Sequence, residues 1–460
     1  MSEADLKLAF EMLRKKSRGL QSYYDYYDGD QPLMYTAKRL EEIFKHLNAY
    51  FAENWCSVVI DAALERINLR NIEITDAGAA QAWKEIWARS EIFLESDQVH
   101  EDALVAGEAY FIGWPDENGK PEGYTNDPRM CHIFYDAEYP RVKKFAAKWW
   151  IDDENKRRIT LYYPDHLEYY VSVKKISGKD GEALNTFKPT SFETAEEDKI
   201  NEYKEVPVFH FRVKKRKVTS DLKNVIPVQN GINKLLNDMM VSAEFGAFKQ
   251  RYVISNIEVN GKLKNAPNEV WDLPAGDGMG QQTQVGQFDE TPLGNYLKAI
   301  EDLALAVSTI TRTPKHYFFQ IGSNLSGEAL IAMEAGLNKK AQDRIDRFSP
   351  VWANVTRFLL KLDGYEVPVE KIQPIFDKPE TVQPRTQAET RQMNVNAGVP
   401  LVTVLRDEGK SEAYIKQMLK DKQDDEARRQ NSLAQALLEQ QRRFSQGGGD
   451  STSDNPGGER

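Results

Sequence analysis

The stretch SGEALIAMEAGLNKKAQDRIDRFSPVWANVTRFLLKL, residues 326–362, sets the scale of the molecule. Leu330, Met333, Leu337, Ala341, Ile345, Phe348, Trp352, Val355, Leu359 and Leu362 recur at three- and four-residue steps, the spacing that lines one face of an α-helix. Ser326 can cap the first free amides and Glu328 suits the positive N-terminus. The stripe runs about 37 residues, on the order of 55 Å at the helical rise. Pro350 lies inside it without disturbing the register, which predicts a kink rather than an end, because proline removes one backbone donor and crowds the preceding turn. Lys339, Lys340, Arg344 and Arg347 occupy the other face, interleaved with Glu334, Asp343 and Asp346; taken alone, that pattern is a solvated face. A helix of this length in a modest domain spans something.

Upstream lie two shorter helices. Pro227 suits a first helical position, and Val228, Ile232, Leu235, Leu236, Met239 and Ala243 form a stripe ending near Phe248. Thr291-Pro292 opens the second, with Leu293, Leu297, Ile300, Ala304 and Val307 on one face and a stop before Pro314. Between them are the strand-like runs Tyr252–Val259 and Val270–Leu273 and a glycine-rich segment, Gly276 to Gly280. Two helices therefore flank a small protrusion.

From Gly107 to Val213 the periodicity changes to short aromatic and β-branched runs separated by Pro, Gly, Asp and Asn: Ala109–Trp114, Met130–Tyr135, Phe145–Ile151, Arg157–Tyr163, Leu167–Val173 and Val206–Val213. They predict an antiparallel β-rich module, in which polar Ser177–Asn201 reads as a loop. At the N-terminus, Leu6, Phe10 and Leu13 predict a helix ending before Gly19, followed by a tyrosine-rich turn, Tyr23 to Asp30. Asn54 to Asp61 leads a buried helix through Ala62, Leu64 and Ile67. Beyond the long helix, Tyr365–Pro384 reads as polar-to-strand. Short helices Thr386–Ala397 and Val399–Glu408 end at Gly398 and Gly409, a charged helix follows from Ser411 to Phe444, and residues 445–460 read as a disordered tail. No internal repeat is present.

Composition narrows the function. Length 460 with 40% apolar and 29% charged residues describes a chain able to bury a large core. A formal charge of −10 excludes a protein that coats nucleic acid or anionic membrane over its whole surface. Cys56 and Cys131 form no Cys-x-x-Cys pair, and no apolar run approaches the roughly 20 residues of a membrane helix. The histidines at 46, 100, 132, 166, 210 and 316 lack metal spacing; His100-Glu101 fails as a zincin motif because Leu104 replaces the second histidine, and reads as an ordinary helix surface. Gly409-Lys410-Ser411 lacks the first glycine of a phosphate loop, Val404 standing there. Gly276, Gly278 and Gly280 match only part of a dinucleotide fingerprint, and Asp152-Asp153-Glu154 reads as a hairpin tip. No catalytic residue, metal site or cofactor is expected.

The order of these pieces resembles the portal (head-to-tail connector) proteins of tailed bacteriophages, of the siphophage type. The similarity rests on Tyr26-Tyr27-Asp28-Gly29-Asp30-Gln31-Pro32-Leu33, Asn54 to Asp61, Gly107-Glu108-Ala109-Tyr110, Val206 to Phe211, Ser326 to Leu330, Ala397-Gly398-Val399-Pro400, and Gly409 to Glu412, in order over roughly residues 20–420. The resemblance implies an α+β, elongated subunit. Residues 1–222 would be a β-rich wing, with 364–385 returning to it; 223–248 and 291–312 two stem helices; 249–290 a small α/β clip; and 313–325 a tunnel loop. The long kinked helix would span 326–363 and a helical crown 386–444.

What the resemblance implies about function is a ring, commonly of about twelve copies, at one capsid vertex. Its channel would pass double-stranded DNA without regard to sequence during packaging and ejection. It would dock the terminase motor, head-tail adaptor, major capsid and scaffolding proteins, with no membrane involved, after assembly in the host bacterial cytoplasm. Asp277, Gly278 and Met279 would be clip contacts for partners. Lys315, His316, Tyr317, Phe318, Phe319 and Gln320 would form the tunnel loop, Lys315 facing the lumen while the aromatics pack against neighbouring subunits; the alternative is that these residues cover the helix junction. Lys339, Lys340, Arg344 and Arg347 would be further lumen-facing cations. Lys214–Lys217, with Arg212, reads as a solvated strand end or an intersubunit salt-bridge surface. A continuous basic lining would hold DNA rather than pass it, so an acidic chain with sparse cations suits a conduit. Two rivals stand beside this reading: a different helical scaffold or adaptor, and a metal-dependent enzyme acting on DNA through acids such as Asp61, Asp102 and Asp136.

Overall fold

The computed structural model describes residues 2–32, 52–176, 188–247, 251–254, 271, 284–289, 292–319, 327–380, 384–408, 410 and 412–446. Its helices are α1 (Ser2–Asp28), α2 (Trp55–Leu64), α3 (Ala77–Arg89), α4 (Ile92–Ala106), α5 (Ile226–Ala247), α6 (Leu293–Thr311), α7 (Gly327–Leu362), α8 (Pro384–Asn396), α9 (Leu401–Asp407) and α10 (Glu412–Gln446). The strands are β1 (Leu69–Ile74), β2 (Glu108–Pro115), β3 (Pro121–Asn126), β4 (Cys131–Tyr135), β5 (Lys143–Ile151), β6 (Arg157–Tyr162), β7 (His166–Ser172), β8 (Phe192–Ile200), β9 (Val208–Arg212), β10 (Arg251–Ile254), β11 (Gln284–Gln287) and β12 (Ile372–Phe376). This is an α+β protein in two units, residues 1–381 and 382–460. No helix among the described residues is long and apolar enough to cross a membrane.

Alternation of side chains along the strands builds the first unit in layers. The five-stranded antiparallel sheet runs β4-β5-β6-β7-β8, and the three-stranded one β3-β2-β9. In the larger sheet Phe145, Ala147, Trp149, Ile159 and Leu161 face the first half of α1, where Leu6, Phe10 and Leu13 meet them. Ala146 and Tyr162 point the other way, onto Tyr110, Ile112 and Val208 of the smaller sheet. Ala109, Phe111, Phe209 and Phe211 emerge on its far side and pack against α2, α4 and α7. Because the strand period is two, each sheet feeds a different core from each face.

A buried ionic knot pins α1 to both sheets. Lys16 Nζ reaches Glu108 Oε1 at 2.7 Å and hydrogen-bonds the Tyr110 hydroxyl and the Cys131 carbonyl at 3.0 and 2.9 Å. Glu108 Oε2 accepts from Tyr110 and from His210 Nε2, each at 2.9 Å, while His210 Nδ1 lies 3.1 Å from the Tyr135 hydroxyl. Burial alone would raise the Glu108 carboxyl, but the His210 hydrogen bond and the Lys16 charge outweigh it and hold it well below the usual carboxylate range.

Several expectations are corrected. Helix α1 continues through Gly19 to Asp28, because anchorage at both ends outweighs the ~1 kcal/mol cost of an interior glycine. The tyrosine-rich turn is therefore its last turns: Tyr24 donates to Asp102 at 2.6 Å and Tyr27 to Asp61 at 2.9 Å, and Gly29 ends the helix at φ +88°. Part of the expected loop 177–201 is strand β8, which pairs with β7; as an edge strand, mostly exposed past Phe192, it needs no apolar alternation. Strands β1 and β12 pair antiparallel although far apart in the chain, Leu69 facing Phe376 and Ile74 facing Ile372, the partner of β12 being unforeseen. His100 is no surface residue: it is fully buried, stacked on Phe348 and bonded to Trp352. Asp152 does organise a tight turn between β5 and β6, its Oδ1 accepting from the Glu154 and Lys156 amides.

Helix α7 runs unbroken through Pro350. Proline leaves the Asp346 carbonyl without its helical donor, yet both residues are exposed and water can serve it. In the second unit Gly398, at φ +93°, separates α8 from α9, and Arg391 clamps Glu408 at 2.7 Å. Helix α10 extends to Gln446, past the expected start of the tail; residues 447–460 lie outside the described residues.

Candidate functional site

The site is the junction where α6 turns into α7. Helices α5 and α6 lie antiparallel, as the pairs Gly231 with Leu303 and Ser242 with Tyr296 (hydroxyls 3.1 Å apart) require. Ile232, Ile300 and Val307 seal them onto the main core. At their far end β10 and β11 pair antiparallel, Tyr252 lying against Phe288. Asp277, Gly278, Met279 and Gln320 lie outside the described residues.

Arg312 ends α6 in the left-handed conformation, φ 62°. Thr311 and Thr313 then bond to each other at 3.0 Å, and the Ser308 hydroxyl donates to the Thr313 carbonyl at 2.7 Å, fixing the exit. Lys315–Tyr317 forms one 3-10 turn. Arg66, just past α2, bolts this turn to α7: its guanidinium donates to the Tyr317 hydroxyl at 2.9 Å and Asn338 Oδ1 at 3.0 Å, and lies 3.4 Å from Glu334. His316 Nε2 stands 3.5 Å from the same carboxylate. Phe318 and Phe319 meet Trp55 edge-on at 5.7 and 5.8 Å. Lys315 is exposed and makes no ion pair among the described residues.

Within the subunit these aromatics have contacts of their own. Tyr317, Phe318 and Phe319 pack on Trp55 and Arg66 of their own chain and stay half-buried there. The solvated basic face of α7 is corrected. Arg344 is buried, bonding Asp221 at 3.1 Å and Asp343 at 2.8 Å, and Lys340 reaches Asp221 at 3.0 Å. Burial would raise the Asp221 carboxyl, but Lys340 and Arg344 hold it below its ordinary value. Arg347 pairs with Asp343 at 2.9 Å, while Lys339 is exposed and makes no ion pair among the described residues, its charge only adding to the field that lowers Asp343.

Sequence reasoning missed Arg66, Glu334, Asp221 and Trp55. Only Trp55 carried a signal, as an aromatic beside a helix cap; Arg66 reaches Tyr317 across 251 positions and Asp221 reaches Arg344 across 123. Asp61, Asp102 and Asp136 sit on separate segments, engaged by Tyr27, Tyr24 and Lys144. Among the described residues no group of three or more His, Cys, Asp or Glu is placed to hold a metal.

Residues 11–427 match the family described as phage portal protein, SPP1 Gp6-like. The chain belongs to that family. A relative called portal protein, from Mycobacterium phage L5, is 22% identical over 406 residues, covering 81% of this chain and 77% of its own length. Portal proteins are structural components of the virion capsid.

Proposed function

We propose that copies of this chain form a ring of about twelve at one capsid vertex, whose channel passes double-stranded DNA in packaging and ejection. The chain would be assembled in the host cytoplasm and would dock the terminase motor, head-tail adaptor, capsid and scaffolding proteins. In this reading the β-rich layers are the wing, α5 and α6 the stem, β10 and β11 the base of the clip, residues 313–325 the tunnel loop, α7 the long helix bent at Pro350, and α8 to α10 the crown. The observation that carries it is α6. Ile300, Ala304 and Val307 of one stripe are buried, yet Leu297 on that same stripe and Leu305 and Ile310 on the remaining surface stay about half exposed. A helix apolar on several sides is one that neighbours cover, and side-by-side copies supply them. Lys315, exposed and in no ion pair among the described residues, is the candidate to face the lumen, and Lys339, exposed on α7, is a second.

Electron micrographs and native mass of the purified chain, taken over a range of salt and protein concentrations, test this. A ring with a central hole is expected; a compact monomer or dimer throughout would falsify the assignment. If Lys315→Ala leaves both assembly and packaging unchanged, Lys315 does not face the lumen.

A further inference from the structure

Two dense, opposite charges lie at opposite edges of the large sheet. Lys214, Lys215, Arg216 and Lys217 follow β9 directly, all exposed and in no ion pair among the described residues. They sit on the β4 side of the sheet, since His210 bonds Tyr135 of β4 and Arg212 lies over its ring at 5.7 Å. Lys15 and Lys223 extend this surface where they line a cleft of about 270 Å³ between α1 and residues 218–223. At the other edge β8 is the last strand, its outer side unpaired among the described residues. It carries Glu193, Glu196, Glu197 and Asp198, all exposed and in no ion pair among the described residues, against one cation, Lys199, which lies over the Tyr169 ring at 5.5 Å. Four strand spacings, about 19 Å, separate β4 from β8, so the two surfaces cannot neutralise each other within one subunit.

We propose that the basic run of one copy docks on the acidic outer edge of β8 in the next copy, as the two halves of a head-to-tail interface. The inference rests on the ring reading and names its contact. A surface that is unlike its partner makes a heterologous pairing, which closes into a ring when the rotation allows. Charge of either sign would keep an edge strand from pairing; what head-to-tail docking adds is the matching opposite charge on the other edge. Such rim charges act through encounter and register, and salt weakens them.

The test uses the full chain. Lys215→Glu/Lys217→Glu and Glu196→Lys/Glu197→Lys are each compared with a chain carrying both sets, by native mass and electron microscopy between about 0.05 and about 0.5 M salt. Each single set should raise the protein concentration needed for rings at least about tenfold, and the charge-swapped chain should return to within about threefold of the natural one. Glutamine at the same four positions should give an intermediate shift without like-charge repulsion. Natural-like assembly by either single set overturns the interface while the ring reading stands. Rings that persist in the lysine-reversed chain while binding of a short DNA duplex is lost would instead assign the basic run to DNA. Absence of rings from the natural chain under all conditions removes the ring reading itself.

Discussion

The indole Nε1 of Trp352 donates to His100 Nε2 at 3.0 Å, at the centre of the subunit and 252 positions away in sequence. Because Nε2 accepts, Nδ1 carries the proton and donates to the Ile67 carbonyl at 3.1 Å. One imidazole thus joins α4, the long helix α7 and the turn before β1. Trp352→Phe removes the donor and strands a buried acceptor, an expected loss on the order of 2 kcal/mol in chemical denaturation.

The same histidine sets an acid limit. Burial pushes it down to about 3 from its ordinary 6.5. A depressed folded value means its stabilisation is present above about pH 6.5 and is lost as pH falls toward 3, on the order of 4 kcal/mol in all. In His100→Gln the unfolding free energy should vary less between pH 7 and pH 4 than in the natural chain; parallel curves would refute this.

Asp102 has the opposite sign. Burial pushes its carboxyl up to about 7, so its stabilisation is complete below about pH 4 and is lost as pH rises through 7. Asp102→Asn keeps an acceptor for Tyr24 and never ionises. It should gain on the order of 2 kcal/mol over the natural chain at pH 8 and nothing at pH 4, read from paired denaturation curves.

Lys16 and Glu108 should be strongly coupled. Lys16→Met leaves the Glu108 carboxylate buried with less compensation, an expected cost of about 3–5 kcal/mol. Adding Glu108→Gln should recover part of it, and a double-mutant cycle measures how much; simple additivity would show that the knot is not a unit.

Gly107 should tolerate no side chain. At φ +88° a Cβ would stand 2.5 Å from the Thr219 carbonyl carbon, whereas at Gly119, φ +74°, a Cβ meets nothing within 4 Å. Gly107→Ala should therefore lower the unfolding free energy by more than about 2 kcal/mol and Gly119→Ala by about 1. Equal melting temperatures for the two variants would contradict the packing argument.

Arg66→Met should free the turn at 315–317 from α7. Amide exchange at Tyr317 and Phe318 should quicken at least about tenfold, while the β-sheet amides stay as they were.

How much of this was legible depends on distance along the chain. The stripes of α5, α6 and α7 and the alternation of β5 and β6 are visible within a dozen residues, because a helix or strand repeats its own geometry. The family resemblance was legible for the same reason, as short patterns in a fixed order. Strand β8 was hidden because past Phe192 its side chains lack an apolar alternation, and pairing with β7 holds it in place. The basic face of α7 was misread because its partner, Asp221, lies more than a hundred residues upstream. His100 looked like a surface residue until α7 covered it.

By itself the amino-acid sequence determined the α+β class, the long helix, the flanking helix pair and the charge that excludes a nucleic-acid coat. Tertiary structure alone decided which cations are free and which are spent inside the subunit, that Phe318 and Phe319 rest on their own Trp55, and that the acidic and basic rows fall on opposite sheet edges. The reason is physical: periodicity is a property of neighbouring residues, whereas burial and pairing of a charge depend on which distant segment arrives beside it.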